Sequence, residues 1–184
     1  QGKRGSRVNS RMRKAIICCA HDEAEELAAR ITEAGFHATR ADERTVVKFH
    51  ITSAALVDFL RPFGRGADGK RVPGFVFGAP RVIVAAMWNG WVDSDGCTLP
   101  TGTISGTTVS RDLAIGLARA ARIALGVPVA VYEQAMKPTT VIEGRTVRQK
   151  TQYTVRVSPK RHEGFHEDGL CWVPVRSVRR TGAT

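Results

Sequence analysis

Alternating apolar and polar stretches predict a series of short elements before residue 61. In order, these are a buried strand over 15–20, a helix over about 22–34, strands near 36–41 and 45–51, and a helix over 54–60. Acidic residues open the first helix, where the positive end of the helix dipole favours them, and Gly35 ends it. Thr52 or Ser53 is placed to cap the second helix.

The same order of elements is predicted again later in the chain. It comprises a helix capped by Thr108 or Ser110 and closed by Gly126, followed by strands near 128–134 and 150–157. The intervening segment 138–148 is interpreted as a basic connecting loop. Because both predicted helices close on a glycine followed by an apolar residue, the pattern indicates an internal repeat.

A further helix, roughly 81–92, is predicted between the two copies. It is apolar on nearly every face, which indicates burial on all sides. Asp93 and Asp95 follow it, where the negative end of the helix dipole destabilises a carboxylate by roughly 0.3–1 kcal/mol. A bound cation would relieve that repulsion. Gly90 would let a second backbone pack closely against this helix.

Residues 93–96, Asp-Ser-Asp-Gly, also suit an ordinary turn, and for the tetrapeptide alone that alternative stays open. A calcium loop of the EF-hand type is rejected. Cys97 falls on its third acidic position, and Ile104 falls where the bidentate glutamate should be.

Charge narrows the choice of partner. The chain has 184 residues and a formal net charge of +11, which favours a polyanionic partner, most simply DNA. Residues 1–14 are expected to contact phosphate.

No apolar run approaches the ~20 residues of a membrane span, so we expect no membrane partner and a soluble, intracellular, cytoplasmic protein. The four cysteines lack zinc-ligand spacing and are expected to be free thiols, and His162 and His166 favour a loop over a metal site.

Residues 88–96 resemble the LAGLIDADG motif, with Gly90, Asp93, Asp95 and Gly96 on its characteristic positions. Other stretches resemble further blocks of the same family. They are the lysine-containing block over 69–80, the strand and helix starts at 104–105 and 110–114, and the return towards a splicing domain at 172–178. The chain is therefore similar to the LAGLIDADG (dodecapeptide, DOD-type) homing endonucleases that inteins carry.

The resemblance implies an α+β fold of two αββαββα-type pseudo-repeats with curved antiparallel sheets. The expected divisions are a first repeat without its motif helix over 1–78, a second repeat with the motif helix over 79–160, and a tail leading back to a splicing domain over 161–184. The chain would then be an endonuclease fragment that does not splice. A second LAGLIDADG helix, from a missing N-terminal part or another chain, would be its pairing partner.

The family also implies roles for particular residues. Asp95 would bind Mg²⁺, Asp93 would cap or support the turn, and Lys70 would lie beside the scissile phosphate, with Lys160 as the candidate basic residue of the second repeat. The implied activity is site-specific binding of double-stranded DNA and metal-dependent phosphodiester hydrolysis. Candidate base contacts, chosen by strand face alone, are Arg40, Lys48, His50, Gln152, Thr154 and Arg156.

Other functions are compatible with the same residues. The chain could be a DNA-binding remnant without catalysis, an RNA maturase, or a LAGLIDADG-like transcription regulator. Retention of both Asp95 and Lys70 favours the nuclease, because a decayed copy has no reason to keep both groups. Each strand candidate could equally be an ordinary exposed residue.

Overall fold

The computed structural model describes residues 13–137, 139–142, 144–158, 165–167 and 170–172. It shows a mixed α+β protein with antiparallel sheets, which confirms the α+β class predicted from the sequence. The chain divides into two compact units, Gln1–Arg61 and Pro62–Thr184. Of the described helices, none combines the length and apolar character that crossing a membrane requires.

The first unit is a three-stranded sheet with two helices. Its described elements are β1 (Lys14–Cys19), α1 (Ala24–Glu33), β2 (Ala38–Asp42), β3 (Val47–Thr52) and α2 (Ala54–Leu60). The strand order is β1-β3-β2, and both pairings are antiparallel. Gly35 follows α1 with a φ of 79°, and Ser53 caps α2 by accepting a hydrogen bond from the Leu56 amide at 3.2 Å. The predicted order of elements, the end of α1 before Gly35 and the cap at Ser53 are therefore confirmed, whereas α1, β2 and β3 each begin about two residues later than predicted.

The prediction that the first strand is buried is wrong. Of the residues in β1 only Ala15 is buried, whereas Ile16 is 54% exposed. Ile16 pairs with His50, and therefore points away from the core that Phe49 and Ile51 form with the helices. Because side chains alternate between the two faces of a strand, a sheet covered on one side buries only half of them.

The second unit begins with a short helix, α3 (Gly66–Gly69), and a 3-10 turn over Gly74–Gly78. Its remaining helices are α4 (Arg81–Asp95) and α5 (Arg111–Leu125). The strands, in chain order, are β4 (Gly96–Thr98), β5 (Ile104–Thr108), β6 (Ala130–Gln134), β7 (Thr139–Ile142), β8 (Arg145–Arg148), β9 (Gln152–Val157), β10 (Phe165–Glu167) and β11 (Leu170–Trp172). The main sheet has the order β4-β5-β9-β6, and β7–β8 and β10–β11 each form a separate antiparallel pair.

The segment predicted as a loop over 138–148 contains the β7–β8 hairpin. Thr139 pairs with Arg148 and Ile142 with Arg145, and Gly144 adopts a φ of 75° between the two strands. Threonine and β-branched residues at these positions favour extended backbone, and the basic charges that suggested a loop are compatible with an exposed hairpin.

The order of elements recurs between the two units. Within the main sheets, β1-β3-β2 and β5-β9-β6 have the same order and the same antiparallel pairings. In each unit a helix, α1 or α5, follows the first of these strands. The predicted repetition of a strand–helix–strand–strand order is thus present in the backbone.

The helix α4 is longer and more exposed than predicted. It runs to Asp95, and its buried residues are Val84 and Trp88, whereas Val82 is 72% exposed. The prediction that this helix is buried on all sides is wrong, because α5 and the sheet cover only one side of α4. Within the described residues the other apolar side faces outwards.

The core of the second unit places α4 and α5 against the same face of the main sheet. Val155 and Val157 from β9 pack with Trp88 and Leu117. Val72 and Val76 join this core, so residues before 79 pack with α4. Ser110 caps α5, and Gly126 closes it with a φ of 71°, as predicted.

Candidate functional site

Lys70 and Asp95 line one cavity of about 260 Å³ in the second unit. They come from separate elements, since Lys70 follows α3 and Asp95 is the last residue of α4. The other lining residues are Ala67, Trp91, Thr107, Thr108, Val109 and Leu113. The structure therefore brings together a cation, a carboxylate and two hydroxyl-bearing residues beside an aromatic ring.

The loop that carries Lys70 is closed by two hydrogen bonds from Arg71. The Arg71 amide donates to the Phe63 carbonyl at 2.9 Å, and the Arg71 Nε donates to the Pro62 carbonyl at 3.0 Å. Gly64 has a φ of 87°, and a Cβ there would lie 1.9 Å from the Gly69 carbonyl oxygen. Only glycine fits this position, because both the backbone angle and the space exclude a side chain.

Asp95 lies where α4 meets the sheet. The Gly96 amide donates to the Val92 carbonyl, and a Cβ on Gly96 would lie 2.8 Å from the Val92 backbone. The glycine at this motif position therefore lets the chain turn directly from helix into β4. Trp91 fixes the helix from inside, because its ring occupies the space beside Gly106 of β5.

Asp93, in the last turn of α4, is the residue expected to cap or support this turn. Its side chain is exposed, and within the described residues it accepts no hydrogen bond from the turn. Ser94 is bonded there instead, with its hydroxyl donating to the Trp91 carbonyl at 3.3 Å. Gly90 is exposed as well, and no atom lies within 4 Å of the position of a Cβ there. The second backbone expected at Gly90 is not supplied by the described part of this chain.

The residues at the cavity fit Mg²⁺ in part. No group of three or more His, Cys, Asp or Glu side chains that could hold a metal ion occurs in the part of the chain that the structure describes. Asp95 supplies a single carboxylate to the cavity lining. Magnesium is commonly held by one or two carboxylates, with water and substrate phosphate completing its coordination. Asp95 would therefore supply one protein ligand of such a site.

One face of the main sheet in the second unit is polar. Gln152, Thr154 and Arg156 share it, since alternate residues of β9 point to the same side, and Val155 and Val157 face the helices. Their cross-strand partners on this face are Ser105, Thr107, Ala130, Tyr132 and Gln134. The three candidates predicted on this strand therefore lie side by side.

Thr107 belongs to both the polar face and the cavity. Its hydroxyl lies 3.1 Å from that of Thr154, its partner across the ladder, and it also lines the cavity with Asp95 and Lys70. Sequence reasoning missed Thr107, Ser105 and Tyr132. The polar residues at alternate positions of β5 could have indicated Ser105 and Thr107, but the pairing of β5 with β9 could be read only from the fold.

In the first unit, Lys48 and His50 lie on the sheet face opposite Phe49 and Ile51. Lys48 Nζ is 2.7 Å from Glu43 Oε1, and this hydrogen bond raises the pKa of Lys48 above its ordinary value. His50 pairs with Ile16 and Thr39 across the ladders. This face therefore carries the apolar Ile16 beside the two candidate residues.

Arg40 does not share that face. It pairs with Phe49 and therefore lies on the helix-covered side, where it donates to Asp42 and to Glu25 at 2.6 Å. The hydrogen bonds that Arg40 donates to Asp42 and, to a smaller extent, to Glu25 raise the pKa of Arg40, and Arg40 in turn holds the pKa of Asp42 below its ordinary value. The choice of Arg40 as a base-contacting residue by its strand face is wrong, because the register of β2 against β3 directs its side chain towards α1.

Several predicted features lie outside the described residues. They are Lys160, His162, the basic segment before Arg13 and most of the tail over 161–184. Of the cysteines, Cys18, Cys19 and Cys97 are free, as expected.

Comparison with known proteins adds no relative. No protein-family model matches this chain, and no curated protein is significantly similar to it.

Proposed function

We propose that this chain is the DNA-cleaving part of a LAGLIDADG-type homing endonuclease, with double-stranded DNA as its substrate. The observation that carries the proposal is the shared cavity of Asp95 and Lys70. These are the two groups that the motif resemblance assigns to chemistry, and the folding of separate elements brings them together. A carboxylate and an ammonium group on one cavity suit hydrolysis of a phosphodiester.

In this proposal each group at the cavity has one task. Asp95 would bind Mg²⁺, which when bound polarises the phosphate and favours attack by water. Lys70 would stabilise the negative charge that develops on the phosphoryl oxygens. Trp91 and Leu113 would keep one wall of the cavity apolar, which strengthens electrostatic interactions there.

The polar sheet face would bind the DNA next to this cavity. Arg156 is exposed and charged, and Gln152 and Thr154 offer both donors and acceptors to base edges. Because Thr107 connects the face with the cavity, a duplex on the sheet could bring one phosphate to Lys70. The net charge of +11 supports a polyanionic partner.

The exposed side of α4 would pair with a second LAGLIDADG helix, from another part of the protein or another chain. Val82 and Ile83 are more than half exposed there, and Gly90 presents bare backbone. A closely packed second helix would bury this apolar side and bring a second carboxylate to the metal.

The decisive experiment compares Asp95→Asn with Asp93→Asn in the full-length protein. Both carboxylates belong to the last turn of α4, but only Asp95 lines the cavity. We expect Asp95→Asn to reduce Mg²⁺-dependent cleavage of target DNA by at least about 100-fold while DNA affinity is retained. Asp93→Asn should keep most of the activity. Undiminished cleavage by Asp95→Asn would rule out this assignment.

A DNA-binding role without catalysis is the second candidate. It is favoured by the cavity lining, in which Asp95 is the one acidic residue. Specific DNA binding by the full-length protein, with no cleavage at any Mg²⁺ or Mn²⁺ concentration, would support this alternative.

A further inference from the structure

Ser110 is buried, and its own hydroxyl makes two hydrogen bonds. The residue is 1% exposed, and its Oγ accepts from the Leu113 amide at 3.2 Å, which caps α5. The same Oγ donates to the Lys70 carbonyl at 2.5 Å. The Ser110 amide in turn donates to Thr108 Oγ1 at 3.1 Å, so that the cap itself is held in place. The hydroxyl therefore connects the start of a long helix with the backbone of Lys70.

The bond from Ser110 complements those that close the Lys70 loop. On the C-terminal side of Lys70, the Arg71 amide is bonded to the Phe63 carbonyl. On its N-terminal side, Lys150 Nζ bonds to Asp68 Oδ2 and holds the pKa of that carboxyl below its usual range. Among these bonds, the one from Ser110 is made to Lys70 itself, and its donor belongs to a buried residue.

We propose that Ser110 is a positioning residue, which holds the backbone of Lys70 so that the ammonium group reaches the cavity of Asp95. The inference rests on the proposed function. A lysine side chain has many rotamers, and its head samples a wide volume when its backbone moves as well. Fixing the Cα leaves only side-chain rotation between Lys70 and the reacting phosphate, and small errors of position strongly reduce catalysis.

Ordinary N-capping is the competing explanation, and Ser53 provides a matched control. Ser53 caps α2 by accepting from the Leu56 amide at 3.2 Å, the same distance as in Ser110, and its hydroxyl makes no second hydrogen bond to the described residues. Ser53→Ala therefore removes a cap alone. Ser110→Ala removes a cap together with the bond to Lys70. Ser110→Thr keeps a hydroxyl for both bonds, and Ser110→Gly loses the hydroxyl at a position where glycine is a tolerated N-cap.

The first measurement does not depend on activity. Amide hydrogen exchange is followed at Arg71, with Ala121 in the middle of α5 as the internal reference. We expect Ser110→Ala and Ser110→Gly to speed exchange at Arg71 about tenfold or more relative to Ala121. Ser110→Thr and Ser53→Ala should leave that ratio within about twofold of the parent. Unchanged exchange at Arg71 in both Ser110→Ala and Ser110→Gly, or an equal rise at Ala121, would overturn the inference.

The second measurement is steady-state cleavage by the full-length protein. Loss of positioning should lower kcat about 10- to 100-fold with KM nearly unchanged, and Ser110→Thr should recover most of the activity. An unchanged kcat in a folded Ser110→Ala variant would contradict the inference. If the parent protein does not cleave DNA, the proposed function fails, whereas the exchange experiment still decides whether Ser110 holds the Lys70 backbone.

Discussion

Gly106 shows how one residue determines the position of the helix end that carries Asp95. It lies in β5 on the helix-covered face, and a Cβ there would be 2.3 Å from the end of the Trp91 ring and 3.2 Å from the Asp95 carbonyl. Real Cβ atoms do not approach that closely. The missing side chain therefore lets the last turn of α4, with Asp95, rest directly on the sheet.

We predict that Gly106→Ala destabilises the protein by about 1–3 kcal/mol, because the large, partly buried Trp91 ring cannot move aside without strain. Gly74→Ala is a suitable control, since nothing lies within 4 Å of a Cβ at that position. The check is urea unfolding followed by tryptophan fluorescence. Equal stability of Gly106→Ala and Gly74→Ala would contradict the packing described here.

At the scale of elements, α4 combines a buried side with an exposed apolar side. Trp88 is buried against α5 and the sheet, whereas Val82 and Ile83 are exposed. An exposed apolar side of a helix more often marks an association surface than a surface that stays in contact with water. Gly90 lies on the exposed part of the helix, where glycine has no steric reason within the described residues.

We predict opposite effects of Gly90→Ala on folding and on pairing. In the chain alone the change should stabilise by about 0.5–1 kcal/mol, because alanine has the higher helix propensity and the added methyl meets no atom. Thermal unfolding measures this effect. Where a helix of another chain packs against α4, the methyl should weaken association, which analytical ultracentrifugation can measure. Destabilisation of the isolated chain would show that Gly90 is needed within this unit.

At the scale of the whole molecule, the proposal of DNA as the ligand rests on net charge and on the polarity of the strand faces. The formal net charge is +11, and the second unit presents a polar sheet face that includes Arg156. Arg40, in contrast, is bonded to Asp42 and Glu25 on the covered face of the first unit. Two arginines on similar strands are thus expected to respond differently to DNA.

We predict that DNA affinity falls steeply with salt, linearly in a plot of log Kobs against log salt concentration. Arg156→Gln should reduce the slope by about 1 if Arg156 contacts a phosphate, and should relax sequence preference if it contacts a base. Arg40→Gln removes the same charge and should leave the slope unchanged. Fluorescence anisotropy with labelled duplexes provides the measurement. A flat salt response of the parent chain would contradict DNA binding.

The local elements could be predicted well because their signals are local. Gly35 and Gly126 end helices where a positive φ is required, and Ser53 and Ser110 accept from the amides three residues on. The β7–β8 hairpin was missed, because charge in a short strand resembles charge in a loop. Burial of β1 and α4 was overestimated, because apolar character does not tell which neighbour covers a side chain.

For the candidate site, the sequence by itself determined which groups are present: Asp95 at a helix end, Lys70 after a glycine, and a basic chain overall. Only the tertiary structure decided which groups meet. It placed Lys70 with Asp95 in one cavity, joined Thr107 to that cavity, connected Ser110 to the Lys70 carbonyl and turned Arg40 towards Glu25. The physical reason is that these contacts depend on strand register and helix packing, which are set by distant parts of the chain, whereas capping and periodicity are set by neighbouring residues.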